Sequence, residues 1–253
     1  MRAKWLISVG IISYVLALAW AIPARLGVDY ALSQLDKSAK VAMYNAAGRI
    51  WNGNADVAVA GRELGTVSWN LHPFSLLLGR VAADVEIDNS EGHVEGIVAV
   101  GLGGTVSLSE VDGSVPVSQL QGFLPLKGMP VAAEGLIVLR MDTVELEEGM
   151  PSAAEGVLSW QQAGLSAPQR LELGDLHMTV STDAEGIIKG VVEDAGGALK
   201  ADGELTLDQE QNYRVDLSLG ARDSGQEDLV HALAMLGPAD QQGMTSVSLK
   251  GRL

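Results

Sequence analysis

Leu136-Ile-Val-Leu-Arg-Met-Asp-Thr-Val-Glu-Leu-Glu147 decides the fold class. From Arg140 onward, charged residues at 140, 142, 145 and 147 are interleaved with Met141, Val144 and Leu146. Side chains that alternate in this way point to opposite faces of a strand, one dry and one wet. Working outward, the same largely apolar/polar alternation recurs in Ala55-Asp-Val-Ala-Val59, Val81-Ala-Ala-Asp-Val-Glu-Ile87, His93-Val-Glu-Gly-Ile-Val-Ala-Val100, Thr105-Val-Ser-Leu-Ser-Glu-Val111, Leu176-His-Met-Thr-Val-Ser181, Gly203-Glu-Leu-Thr-Leu-Asp208, Tyr213-Arg-Val-Asp-Leu-Ser-Leu219 and Ser246-Val-Ser-Leu-Lys-Gly251. Turn residues fall every 8 to 12 positions, so from Gly48 onward the chain reads as an antiparallel system of about a dozen strands, one extended and curved sheet built from hairpin repeats. The expected class is mainly β, with an N-terminal membrane helix and a short C-terminal helix.

Composition narrows the function classes. The 253 residues carry 17 Lys+Arg against 32 Asp+Glu, a formal charge of −15, which excludes the continuous basic face that nucleic acid requires. With no Cys there is no disulfide frame, thiolate metal site or Cys nucleophile. At 47% hydrophobic residues the chain has ample surface to bury, and 30 glycines against 4% aromatic residues suit many short strands.

Arg2 and Lys4 precede an uncharged apolar run over residues 5–22, followed by Pro23 and Arg25. Eighteen residues of helix reach about 27 Å, near the ~30 Å hydrocarbon thickness of a bilayer. The run therefore reads as an anchor carried by Trp5, Leu6, Ile7, Val9, Ile11, Ile12, Val15, Leu16, Leu18 and Trp20, with the two tryptophans near its ends. The basic residues ahead of it keep the N-terminus cytoplasmic and export the remainder. A cleaved signal peptide is the rival reading, because Ala19-Trp20-Ala21 fits a small-x-small cleavage site. Removing Arg2, Lys4 and Arg25 leaves 14 basic residues against 32 acidic, or −18, on the exported part. Three segments follow: a cytoplasmic tip and anchor over 1–25, a helical connector over 26–47 in which Val28, Leu32, Leu35 and Ala39 share a face, and a β domain over 48–253.

Two further helical pieces are expected. Pro116 and Pro125 confine residues 117–124 to a turn or two. Ser224-Gly-Gln-Glu227 has the spacing of a capping box ahead of Leu229, Val230, Leu233 and Leu236, and Gly237-Pro238 ends that helix.

The chain also echoes itself. Gly48-Arg-Ile-Trp51 is followed 17 residues after its glycine by Leu64-Gly-Thr-Val-Ser-Trp69, and Gly156-Val-Leu-Ser-Trp160 is followed at 18 residues by Leu173-Gly-Asp-Leu-His177. Trp51, Trp69 and Trp160 are candidates either for core anchors of each hairpin or for an exposed interface. Residues 73–79 contain Phe74, Leu76, Leu77 and Leu78, unusually apolar for a connection; they read as a buried strand, a partner-accepting edge or the wall of a lipid groove.

No Gly-x-Ser-x-Gly elbow, phosphate-binding Gly-x-x-x-x-Gly-Lys loop or His-Glu-x-x-His pair is present. Gly101-Leu-Gly-Gly104 lacks the third glycine of a dinucleotide loop and reads as a turn. Asp175 and His177 share a strand face as a surface pair or half of a metal site, and Glu145, Glu147 and Glu148 read as a solvated edge. No catalytic, cofactor or metal residues are assigned, and the protein is not expected to be an enzyme.

The run Leu64-Gly-Thr-Val-Ser-Trp-Asn-Leu-His-Pro-Phe-Ser-Leu-Leu-Leu-Gly-Arg80, with Gly48-Arg-Ile-Trp-Asn-Gly53 before it, resembles protein N of the type II (general) secretion pathway, the GspN family. Gly149-Met-Pro151, Gly156-Val-Leu-Ser-Trp-Gln-Gln-Ala163, Glu193-Asp-Ala-Gly-Gly197, Gly203-Glu-Leu-Thr-Leu207 and Gly251-Arg-Leu253 extend the resemblance along nearly the whole chain. It implies a single-pass, noncatalytic component of the bacterial inner membrane. Its domain would be periplasmic, its partners other secretion subunits and the bilayer, and its task the support of folded proteins crossing the outer membrane of Gram-negative bacteria. The sheet is also similar, distantly, to AsmA-like envelope proteins, so a lipid-carrying groove is the alternative.

Overall fold

The computed structural model describes residues 20–34, 41–120, 132–167, 170–223 and 225–252. Helix α1, Ala24–Gln34, precedes strands β1 (Val41–Arg49), β2 (Asn52–Val59), β3 (Arg62–Leu71), β4 (Arg80–Asp88), β5 (His93–Gly101) and β6 (Val106–Pro116). The single turn α2 (Val117–Leu120) follows, then β7 (Ala132–Glu147), β8 (Met150–Ala167), β9 (Leu171–Thr182), β10 (Ile188–Asp194), β11 (Leu199–Leu207) and β12 (Asn212–Ala221). Helix α3 (Glu227–Leu236) and strand β13 (Met244–Arg252) end the described chain. The thirteen described strands form one sheet in sequence order, β1 to β13, as the period-two pattern requires. Two compact units divide it: residues 1–90 with 97–99, and residues 91–96 with 100–253.

In the first unit, β2 and β3 meet at Val59 and Arg62 across Ala60 and Gly61, both at positive φ (51° and 80°). That is the type I′ hairpin whose twist matches its strands. Small side chains make the core here: Ala24, Ala55, Val57 and Ala82 are buried, and Ala24 and Val28, one helical turn apart, turn α1 onto the sheet. The helix comes so close at Gly27 that a Cβ there would lie 2.9 Å from Ile50 Cγ1.

The second unit holds the longest strands, β7 and β8, of 16 and 18 residues, joined through Glu148 and Gly149 at φ 51° and 82°. One buried cluster joins Ala163, Leu171, Leu173, Leu199 and Ala201 to Leu229 and Leu233 of α3; another joins Ala154, Val180, Ile188 and Leu207. Aspartates terminate the hairpins. Asp183 Oδ1 accepts from the backbone N–H of Glu185 and Ile187, Asp208 Oδ1 from Asn212, and Asp240 Oδ1 from Gln242 and Met244.

Several expectations are corrected. Strand structure begins at Val41, ahead of Gly48, so β1 occupies residues assigned to a helical connector. Helix α1 starts at Ala24, and the face continued through Leu35 and Ala39 lies outside the described residues. Among the described residues no helix is long and apolar enough to cross a membrane. Of the expected anchor, Trp5, Leu6, Ile7, Val9, Ile11, Ile12, Val15, Leu16 and Leu18 lie outside the described residues. Trp20 is described in helical conformation, which the chain leaves at Ala21, before the expected end at residue 22. The serine of the expected capping box, Ser224, lies outside the described residues; α3 begins at Glu227, behind Gln226, and the Asp223 carboxylate takes the Gly225 N–H and its carbonyl the Gln226 N–H. On α3 only Leu229 and Leu233 are buried, whereas Val230 and Leu236 are exposed.

Candidate functional site

The tryptophans of the echoed units share one local design. Trp69 on β3 lies across Gly53 of β2, where a Cβ would meet its ring at 2.8 Å, and its Nε1–H donates to the Ile50 carbonyl at 3.0 Å. Trp160 on β8, paired with Ile137 of β7, reaches diagonally over Gly135, where a Cβ would come within 2.8 Å of Nε1, and donates to the Glu134 carbonyl at 2.9 Å. Both rings are half-buried, each occupying the space a glycine leaves on the neighbouring strand. The glycines heading the echoed units, Gly48, Gly65, Gly156 and Gly174, all take positive φ, so the sequence echo corresponds to a backbone one.

Trp51 differs. It sits in the turn between β1 and β2, and Trp20 stacks on it with ring centroids 6.3 Å apart and planes at 19°. Around this pair the chain is fastened by main-chain bonds. Ile50 N–H donates to the Ile22 carbonyl at 2.9 Å, Leu71 N–H to the Trp51 carbonyl at 2.7 Å, and His72 N–H to the Ala82 carbonyl at 2.8 Å. A shallow open depression of about 550 Å³ results, lined by Trp20, Arg49, Trp51, Asn70, His72 and Pro73 among others.

Immediately beyond it the apolar connection projects. Residues 73–79 are not a buried strand: Pro73–Leu78 form a 3-10 helix with Pro at its start, ended by Gly79 in the left-handed region at φ 71°. Ser75 is its one buried residue; its hydroxyl donates to the His72 carbonyl at 2.6 Å and accepts from Ala82 N–H at 3.1 Å. His72 Nε2 lies 2.9 Å from the Asp84 carboxylate. With its base held, the helix turns its large side chains outward: Phe74 is 81% exposed, Leu77 83%, Leu78 73% and Leu76 47%. Of the three readings of this stretch, burial is the one the structure removes. Four apolar side chains shown to water on one short element form a contiguous patch of the kind that marks an interaction surface.

A second concave surface, of about 510 Å³, lies on β10 to β13. Lys189, Thr206, Arg214 and Lys250 stand opposite one another in successive strands, a basic row in an acidic chain. Lys189 is paired with Asp183 at 2.9 Å, and each raises or lowers the other's pKa toward the charged form, chiefly through that hydrogen bond.

The polar candidates are separated by their partners. Asp175 and His177 do share an exposed face of β9, but Asp175 Oδ1 accepts from Gln162 N–H at 2.7 Å, and His177 Nδ1 lies 2.7 Å from Ser159 Oγ. Sequence reasoning missed the Ser159–His177 contact, which only the β8–β9 register creates. The pair lies open on the sheet, with Glu193 of β10 standing across from His177, while Asp175 is engaged by Gln162. Glu145, Glu147 and Glu148 are exposed at the end of β7 and in its turn.

A curated relative, the type II secretion system protein N of Vibrio cholerae serotype O1 (strain ATCC 39315 / El Tor Inaba N16961), is 27% identical over 241 residues, covering 92% of this chain and 93% of its own. No solved structure matches. The family model described as type II secretion system (T2SS), protein N, matches residues 39–248, nearly all of the sheet, and the chain belongs to that family.

Proposed function

We propose that this member of the protein N family acts in type II secretion as a noncatalytic inner-membrane component. The apolar run over residues 5–22, helical up to Trp20, holds it in the bilayer, with residues 1–4 in the cytoplasm and the sheet in the periplasm. The observation that carries the reading is the arrangement of the chain: the family match covers the sheet, and ahead of it stands an uncharged apolar run preceded by Arg2 and Lys4. Tethering to the plane of the membrane raises the concentration of the sheet around other subunits of the machine, so modest contact surfaces suffice for assembly. Of the interface candidates, Trp51 and the apolar residues Phe74, Leu76, Leu77 and Leu78 are placed for outside contact, the latter four being exposed, whereas Trp69 and Trp160 serve the hairpins they lock. A lipid-carrying groove is the less favoured reading, since the matched family is a secretion family.

Deletion of the gene, with complementation, tests this through the export of folded exoproteins and the co-purification of other secretion subunits with the tagged chain. Reduced export and a reproducible set of co-purifying subunits are expected. Unchanged export with none of those subunits retained sinks the proposal.

A further inference from the structure

We propose that the 3-10 helix Pro73–Leu78 is a second membrane contact, lying with Trp20 in the interfacial layer of the bilayer from which the anchor emerges; the inference rests on the anchored topology proposed above. Four observations point to the bilayer as the occupant. The first is continuity. The apolar run over 5–22 ends in Trp20 and Ile22, and these two residues are fastened to the turn that bears Trp51, by ring stacking and by the Ile22 carbonyl. That turn holds Leu71 through the Trp51 carbonyl, and His72 and Pro73 come next in the chain. Trp20, His72 and Pro73 then line one depression, so the exposed helix starts where the membrane segment ends.

The second is size. Six residues of 3-10 helix extend about 12 Å, matched to an element lying in the headgroup–acyl boundary and too short to cross it. The third is composition. Phe74, Leu76, Leu77 and Leu78 are exposed, and the polar groups at the base, Ser75 and the His72–Asp84 pair, are already satisfied within the protein. Apolar tips above a satisfied base lose little on leaving water. The fourth is local charge. The chain as a whole is strongly acidic, but Arg49 lines the depression, Arg80 directly follows Gly79, and Arg25 lies two residues beyond Pro23, which bridges to Arg49. Cations so placed suit the phosphate level of an anionic leaflet.

The absence of cysteine makes the test direct. Full-length chain with Leu77→Cys, labelled with an environment-sensitive fluorophore, is reconstituted into vesicles of phosphatidylethanolamine and phosphatidylglycerol with and without doxyl-labelled lipid. Arg62→Cys, at the opposite end of β2 and β3, is the aqueous control. The label at 77 is expected to emit at shorter wavelength than the label at 62 and to be quenched by doxyl lipid. Phe74→Asp with Leu78→Asp should return it to aqueous emission while the chain still floats with the vesicles. An aqueous, unquenched label at 77 on floating chain overturns the inference and leaves the anchor standing. A blue-shifted label that doxyl lipid does not quench overturns it too, because protein then covers the patch. Chain that fails to float defeats the anchored topology first, and the inference with it.

Discussion

Trp160 shows how a single residue is set by its neighbour across the sheet. Its indole N–H satisfies the Glu134 carbonyl, and its ring fills the space over Gly135. Trp160→Phe keeps most of the ring but removes the donor, and the orphaned carbonyl is expected to lower stability by about 1–2 kcal/mol. Trp69→Phe should behave alike at the Ile50 carbonyl. Chemical denaturation of each variant checks this, and two unchanged midpoints would show that solvent replaces the bond at no cost. The echo of Gly and Trp was legible in the sequence because it is covalent; the glycine opposite each ring belongs to another strand and follows only from register. Asp194 makes the same point for charge. Burial, the largest single influence on it, pushes its pKa up, but the N–H groups of Gly196 and Ala201 and the charges of Arg222 and Lys200 together outweigh this and hold it below the ordinary carboxylate value. A group whose pKa is depressed on folding contributes stability that is present above its unfolded pKa of about 3.9 and is lost as pH falls through the folded value. Asp194→Asn should therefore lower Tm near neutral pH, with the gap from the parent closing below about pH 4. A gap independent of pH contradicts that account.

At the scale of elements, strands were legible and connections less so. Period-two alternation located most of the sheet, since one wet and one dry face is all a strand needs to announce itself. The start of β1 is obscure because Val41-Ala-Met-Tyr-Asn-Ala-Ala47 alternates weakly, and the start of α3 at Glu227 follows a turn in which Asp223 takes the Gly225 and Gln226 N–H groups. Residues 73–79 carried two readable signals, Pro73 at a helix start and Gly79 at its end, but apolar content suggested burial. What turns the side chains outward is Ser75, a tertiary fact. Its hydroxyl is the acceptor for the buried Ala82 N–H. Ser75→Ala leaves that donor unpaired and is expected to cost about 1–3 kcal/mol in unfolding free energy. Leu77→Ser, by contrast, changes a side chain that is 83% exposed and should shift stability by no more than about 0.5 kcal/mol. Equal losses from the two would mean that the leucine is buried in the folded chain, and would remove the basis for treating the patch as an interface.

For the whole molecule the deciding quantity is the distribution of charge rather than its sum. Arg2 and Lys4 stand before the apolar run, while the part after Arg25 has 14 basic residues against 32 acidic. Basic residues flanking a short terminal segment resist translocation, whereas a large acidic domain does not, so the proposed topology has the N-terminus inside and the sheet exported. Cysteine substitution reads this in cells, because the natural chain has none to confuse the label. Leu102→Cys, at a position 92% exposed in the turn between β5 and β6, should react with a membrane-impermeant maleimide once the outer membrane alone is opened. Ala3→Cys should react only after the inner membrane is opened as well. Ile12→Arg, in the middle of the run, adds a penalty of about 2.5–3.5 kcal/mol to insertion, and should move chain out of the membrane fraction without altering the sheet. Labelling of Ala3→Cys across an intact inner membrane would invert the orientation and bring the patch at 74–78 to the wrong leaflet. Full membrane retention of Ile12→Arg would show that attachment does not depend on the run at all.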